Sequence, residues 1–298
     1  MRIRLENHGL PSDRPEGHGL ASFGQSHRQS HKPKKSLGQN FLVDQNIRNK
    51  IVASLDLKPD DIVLEIGSGK GELTQAIARC VKAVYAIEID RRLLSILTEA
   101  VNSSGNIRII NQDVLKLDLA GLIAKEKIKG RIKVFGNIPY YISSPIIERL
   151  LDFRKSISAV YITVQKEFAK RVVASPGGKD YGSFSCFVQY YTSPRIIFDI
   201  SRNCFKPSPK IDSSFLELKI SKVPSVIVKD EKLFFKIIRS AFNQRRKVLG
   251  NSLSEVVTPE ALQAFFRKSG LNPHRRPETL GLKDFALLAD TQYFLKNT

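Results

Sequence analysis

Short apolar runs alternate with amphipathic stretches through the middle of this chain, and no other feature limits its fold as severely. Runs at Ile62 to Ile66, Ala83 to Ile87, Ile107 to Ile110, Ile132 to Phe135 and Ala159 to Val164 are separated by segments of helical periodicity. Apolar runs of this length, bounded by turn residues, read as buried strands, and strands that alternate with helices predict a mostly parallel sheet wound on both faces. Arg195 to Phe198 and Phe215 to Ile220 bring the expected sheet of this α/β fold to seven strands. Beyond Val223 the pattern is wholly helical, with caps or breaks at Thr258-Pro259, Gly270 and Pro277. The 298 residues therefore divide into a disordered basic tail (1–35), an α/β domain (36–222) and a small helical domain (223–298).

Sheets of this kind bind ligands at the carboxyl ends of their strands, so the residue that ends each run is a candidate for chemistry. The first run passes into VLEIGSGKGELT, where Gly67, Gly69 and Gly71 form GxGxG. The dinucleotide fingerprint needs its third glycine one place later, where this chain has Glu72. Glu65 and Glu72 would also repel a pyrophosphate at the helix N-terminus, whereas a cofactor without phosphates, carrying an ammonium and a sulfonium, tolerates them. The second run leads to Glu88, roughly twenty residues past the loop, the usual place for a carboxylate that accepts ribose hydroxyls. Asp113 follows the third run and can accept from an adenine amino group. The fourth ends in Asn137, Ile138, Pro139 and Tyr140. Four strands finishing with polar groups at one rim point to S-adenosylmethionine as cofactor.

The Asn137 quartet has two readings. It can be an Asn-X-Pro turn, or it can receive a planar nitrogen base. In the second case the Asn137 side-chain carbonyl and the carbonyl of Pro139 or its neighbour accept from an exocyclic amine, and Tyr140 stacks on the ring.

A formal net charge of +19 and a pI near 9.9 call for a polyanionic partner. Nucleic acid fits better than a membrane, because no apolar run approaches the roughly 18 residues of a spanning helix. No secretory signal is apparent. Cys80, Cys186 and Cys204 are too scattered for a disulfide framework or a zinc site, and four of the five histidines are scattered through the tail, so no metal is expected and a cytoplasmic setting fits. Lys206 and Lys210 flank the Asn137 pocket, and Arg239, Arg245, Arg246, Lys247, Arg275 and Arg276 cluster in the helical domain as a candidate phosphate-contacting face.

With the glycine loop, Glu88, Asp113 and NIPYYISSP in this order, the chain resembles the bacterial ribosomal RNA adenine N6,N6-dimethyltransferases. The resemblance runs from about Lys34 to Leu288 and includes SLGQNFLVD, FKPSPKIDSSF and AFNQRRKVLGNSL. It implies a class I methyltransferase fold with a helical appendage, acting as a monomer on two adjacent adenosines in the 3′-terminal hairpin of 16S rRNA within an immature small subunit. It further implies that Asn40 and Leu42 close over the cofactor, that Gly67 and Asn137 line it, that Glu88 holds its ribose, and that Asp113 and Val114 meet its adenine. Asn137 and Pro139 would hold the target amine, Tyr140 and Phe205 would grip the base, and the basic residues would contact RNA. Ser68 and Lys70 depart from the more usual Pro and Leu, and Gly250 stands where Arg is frequent. The alternatives are a sibling that methylates 23S rRNA and confers macrolide resistance, and a noncatalytic assembly or transcription factor on the same fold. FNQRRK, the FKPSPKIDSSF form and Tyr141 favour the small-subunit enzyme, and the complete loop favours activity.

Overall fold

In the computed structural model of the protein, which describes residue 34, residues 37–243 and residues 248–297, the apolar runs become strands where their pattern places them. The strands are β1 (Phe41–Leu42), β2 (Ile62–Ile66), β3 (Ala83–Ile87), β4 (Ile107–Ile110), β5 (Ile132–Asn137), β6 (Ile157–Gln165), β7 (Thr192–Ile200), β8 (Phe205–Lys206) and β9 (Ser213–Ile220). The helices are α1 (Gln45–Ser54), α2 (Glu72–Ala78), α3 (Leu94–Val101), α4 (Leu119–Lys125), α5 (Ser143–Asp152), α6 (Lys166–Val173), α7 (Ser183–Tyr191), α8 (Glu231–Asn243), α9 (Leu249–Leu253), α10 (Pro259–Ser269) and α11 (Leu282–Lys296). The expected tail lies outside the described residues, apart from Lys34.

Seven strands form one sheet in the order β4-β3-β2-β5-β6-β9-β7, the first five mutually parallel and β9 running antiparallel to both of its neighbours, β6 and β7. The near-continuous apolar runs follow from this arrangement, since a strand covered on both faces has no solvent side to make polar. Val63, Leu64 and Ile66 of β2 are all buried, as are Val84 to Ile87 of β3. β7 contains Pro194, which is compatible with its edge position, because a proline cannot donate to a second neighbour. A two-stranded pair, β1 with β8, leaves too little apolar sequence to be foreseen.

The chain runs from β2 outward through β3 to β4, then returns to place β5 on the other side of β2. At this switch point the connections leave in opposite directions and open a crevice at the strand ends. Ile66 pairs with Gly136 there, and the fit is tight: a Cβ on Gly136 would stand 2.8 Å from Ile138 Cγ2 and 3.1 Å from the Ile66 carbonyl oxygen.

The helical segment from α8 to α11 packs on α7 through aromatic side chains. Phe235 meets Phe187 at 5.6 Å and Tyr190 at 5.1 Å, and Phe242 meets Tyr181 at 5.8 Å. One apolar cluster runs through both parts, from Leu64 to Ala289. Among the described residues no helix is long and apolar enough to cross a membrane.

Replacing Gly136 by Ala should destabilise the protein by about 1–3 kcal/mol, the usual cost of forcing a methyl into packed surroundings. Calorimetry should show a melting temperature lower by several degrees. Gly105→Ala, where an added Cβ meets nothing within 4 Å, should leave the melting temperature unchanged.

Candidate active site at the switch point

The carboxyl ends of β2 to β5 open into a single cleft that is continuous with solvent. Asn40, Gly67, Glu88, Asp113, Val114, Asn137, Pro139 and Tyr140 all line it, so the polar residues expected at four strand ends do meet in one place.

The glycine loop is held by backbone bonds. Gly67 and Ser68 N–H donate to the Ile87 carbonyl at 2.9 and 3.2 Å. Gly69 takes φ +58°, a left-handed conformation that costs glycine little, and this turns its N–H toward Glu88 Oε2 at 2.8 Å. Glu88 Oε1 accepts from Asp90 N–H at 2.8 Å. The carboxyl therefore clasps the loop to the end of β3, and each oxygen keeps a lone pair for a further donor. Burial raises the Glu88 pKa, and the two backbone donors oppose the rise.

A strap crosses the mouth of the cleft. Gln39 Nε2 donates to Asp90 Oδ2 at 3.0 Å, and Asn137 Nδ2 donates to the Asn40 carbonyl at 3.1 Å. The Arg92 guanidinium beside Asp90 holds that carboxyl well below the usual range, so it stays an acceptor for Gln39. Asp113 Oδ1 caps the turn that follows by accepting from Leu115 N–H at 3.0 Å, and no donor among the described residues reaches its other oxygen.

At the acceptor end, the bond to Asn40 uses the Asn137 amide nitrogen and leaves the side-chain oxygen to accept. The Pro139 carbonyl is already engaged by Ile142 N–H at 3.2 Å, whereas no donor among the described residues reaches the Ile138 carbonyl. Among the described residues the Ile138 carbonyl is thus unengaged, while the Pro139 carbonyl keeps one lone pair for an amine. Tyr140 is half-buried, and its hydroxyl lies 2.6 Å from Ser213 Oγ. Burial raises its pKa against the pull of Ser213, so the ring is a neutral, anchored surface.

Two expected site residues stand back from the main cleft. Leu42 and Phe205 are register partners across β1 and β8, both buried with Phe135, Ile200 and Phe215 in a core cluster; Leu42 also lines the smaller crevice under the glycine loop, with Glu65, Gly67 and Asn137, whereas Phe205 lines neither. Phe205 is unavailable to cover a base in this conformation because the β1–β8 pair uses its ring to close the core. Lys206 and Lys210 are exposed, as are Arg239 and Arg276, while Arg275 is half-buried with its carbonyl accepting from Leu249 N–H. Arg245, Arg246 and Lys247 lie outside the described residues.

Two further residues join the site without having been expected there. Ile89 is half exposed in the cleft beside Glu88. Glu65 is 2% exposed, its Oε2 has no hydrogen-bond partner among the described residues, and it lines a smaller crevice under the loop with Gly67, Gly69 and Asn137. Burial pushes its pKa up to about 7, with the nearby Thr74 and Ser68 hydroxyls lowering it and the Glu88 charge raising it slightly. The sequence does carry a signal for Glu65: a carboxyl inside an apolar strand run is almost never fully buried unless something pairs with it.

A carboxyl with a raised folded-state pKa favours the protonated native state. Its contribution is fully present below its ordinary value of 4.5 and is lost as pH rises through about 7. Thermal melts of the protein and of Glu65→Gln should accordingly diverge over that window, the native protein losing stability relative to the variant as pH rises. A difference independent of pH would show that Glu65 keeps an ordinary pKa.

The chain matches the family model described as ribosomal RNA adenine dimethylase over residues 30–291. A protein named ribosomal RNA small subunit methyltransferase A from Caldanaerobacter subterraneus subsp. tengcongensis is 45% identical over 266 residues, covering 89% of this chain and 98% of that one. One of the same name from Clostridium botulinum is 43% identical over 260 residues, covering 87% and 94%. Among solved structures, a dimethyladenosine transferase from Plasmodium falciparum superposes with a TM-score of 0.68 at 25% identity, over 83% of this chain and 95% of that one. A 23S rRNA methyltransferase superposes at 0.69 and 24% identity over 85% and 100%, a likeness that shows the fold alone.

Proposed function

The chain belongs to the ribosomal RNA adenine dimethylase family, and on that premise we propose that it dimethylates N6 of two adjacent adenosines in the 3′-terminal hairpin of 16S rRNA during small-subunit maturation. One observation carries the reading: the loop clasped by Glu88 and the open acceptors of Asn137 and Ile138 face the same crevice. In this reading the protein acts as a cytoplasmic monomer and the helical segment (223–298) recognises the RNA.

The donor set fits S-adenosylmethionine. Glu65 offers an orphaned carboxyl oxygen to an ammonium, Glu88 offers lone pairs to ribose hydroxyls, and Asp113 offers an oxygen to an adenine amine. A phosphate placed here would meet carboxyls instead of donors. Glu65 and Gly67 would hold the amino-acid portion, Glu88 the ribose, and Asp113, Val114 and Ile89 the adenine. When bound, the cofactor supplies a methyl group already activated on a sulfonium. The protein then contributes orientation and acceptors aimed at one amine. In the first transfer Asn137 Oδ1 and the Ile138 carbonyl would each accept one N–H of the target amine, and in the second one of them would accept the single N–H that is left, so turning the lone pair out of the ring plane; the proton displaced by each methyl passes to solvent after transfer. No residue needs to remove a proton before transfer. Tyr140, fixed by Ser213, offsets part of the few kcal/mol needed to unstack the target base.

The positive charge serves arrival of the RNA. Lys232, Lys236 and Arg239 recur at helical spacing on α8 and are all exposed, on the side opposite Phe234, Phe235 and Ile238. Lys206 and Lys210 add charge on the segment following Phe205.

Asn137→Ala should reduce methyl transfer below detection while calorimetry still records cofactor binding; unchanged turnover would remove Asn137 from the mechanism. Labelled S-adenosylmethionine offered with each purified ribosomal subunit should mark adenosines in the small subunit only, and label confined to the large subunit, or none, would overturn the assignment. RNA affinity should fall by about a thousandfold or more between roughly 50 and 200 mM salt, as expected for binding that neutralises several phosphates. Joint replacement of Lys232, Lys236 and Arg239 by Ala should make that slope shallower by roughly one for each phosphate those side chains neutralise.

A further inference from the structure

Among the described residues three aromatic rings line the cleft: Phe41, Tyr140 and Tyr141. Two have structural commitments. Phe41 lies over the glycine loop, where a Cβ on Gly69 would stand 3.3 Å from its Cε1, and the Lys70 ammonium sits 5.4 Å from its ring centre. Tyr140 is half-buried and bonded to Ser213. Tyr141 is different, being 64% exposed, a large aromatic surface left in water at the rim of a polar cleft.

Its position is nonetheless defined. Gly38, at φ +58°, brings the strap under the ring so closely that a Cβ on it would stand 3.2 Å from Tyr141 Cε1 and 3.3 Å from Pro139 Cβ. The ring therefore rests on the strap along one edge and remains largely open to solvent. It follows Tyr140 directly in sequence, on the short turn that ends in α5. Since Phe205 lies in the core, Tyr141 is the exposed ring nearest in sequence to the residues that receive the target base.

We propose that Tyr141 is a substrate-positioning stacking platform for the nucleobase adjacent to the target adenosine. The inference rests on the reading that the substrate is an RNA in which one base at a time enters the cleft. Flipping one adenosine past Asn137 strips its neighbour of a stacking partner, and an exposed, pre-positioned ring beside Tyr140 restores one. Base-on-aromatic stacking tolerates any base, so the ring holds the strand without dictating which of two neighbouring adenosines enters. A substrate with two adjacent targets requires this tolerance, because the neighbour is unmethylated in one round and methylated in the other.

The test uses the full-length protein, purified small subunits, and a short RNA hairpin with and without an abasic site beside the target adenosine. Methylation of the intact substrates by the native protein secures the underlying reading; its absence would sink that reading whatever Tyr141 does. Given activity, Tyr141→Ala should raise KM for RNA by about five- to one-hundred-and-fifty-fold, the usual range for losing one stacked base. The cofactor Kd from calorimetry should change less than about twofold. Tyr141→Phe should behave as the native protein does, and the abasic neighbour should erase the difference between native and Ala proteins. The proposal is overturned if Tyr141→Ala leaves the RNA KM unchanged, or if its penalty persists opposite the abasic site. It is equally overturned if Tyr141→Ala weakens cofactor binding as much as RNA binding, since the ring would then serve only to anchor the strap over the cofactor.

Discussion

The parallel pairing of β2 with β5, with Ile66 set against Gly136, is the constraint on which the rest of the site depends. The chain leaves β2 toward β3 and leaves β5 toward β6, so the two loops diverge and the space between them is covered by neither crossover. Close strand approach makes Gly67 a near neighbour of Asn137, where an added Cβ would lie 3.6 Å from the Asn137 carbonyl oxygen. Gly136 allows Ile138 to fold back over Ile66, which directs the Asn137 quartet across the strand ends. A bulkier residue at 136 would move the quartet away from the loop, and cofactor side and acceptor side would lose their common wall.

Charge is distributed in a way that the net value hides. A chain of +19 places carboxyls at its ligand cavities, Glu88 and Asp113 in the main cleft and Glu65 in the smaller crevice under the glycine loop, while Lys206, Lys210, Lys232, Lys236 and Arg239 face solvent. Short-range carboxyls suit a small ligand bearing positive charge. Long-range basic potential suits a polyanion, whose arrival it accelerates and whose binding it makes salt-sensitive. The two fields do not conflict because burial confines the first to a few ångströms and screening limits the second to about 10 Å at ordinary ionic strength.

Much of this was legible in the residues. The strands, their alternation with helices and the polar groups at their ends follow from local periodicity, because a doubly covered strand must be apolar and its end must turn. Other features were not. Phe205 sits in a motif that suggests a clamp, yet two-residue pairing with Leu42 consumes it, and so short a ladder leaves no periodic trace. The Pro139 carbonyl is open by its sequence, but the turn to Ile142 engages one of its lone pairs, whereas no donor among the described residues reaches the Ile138 carbonyl. Glu65 reads as a charge near a loop; that its Oε2 has no partner among the described residues is a property of what surrounds it in three dimensions.

Sequence by itself determined the fold class, the order of the strands along the chain, the exclusion of a phosphate-bearing dinucleotide by the GxGxG spacing, and the polar residue at each strand end. These are local properties, set by side-chain pattern and backbone freedom within a few residues. Only the tertiary structure decided that Glu88 clasps Gly69, that Asn137 reaches Asn40, that Leu42 and Phe205 belong to the core, and that Tyr141 stands open at the rim. Each of these joins segments far apart in the chain or depends on how much water reaches a side chain, and no local pattern encodes either until the sheet has closed around its switch point.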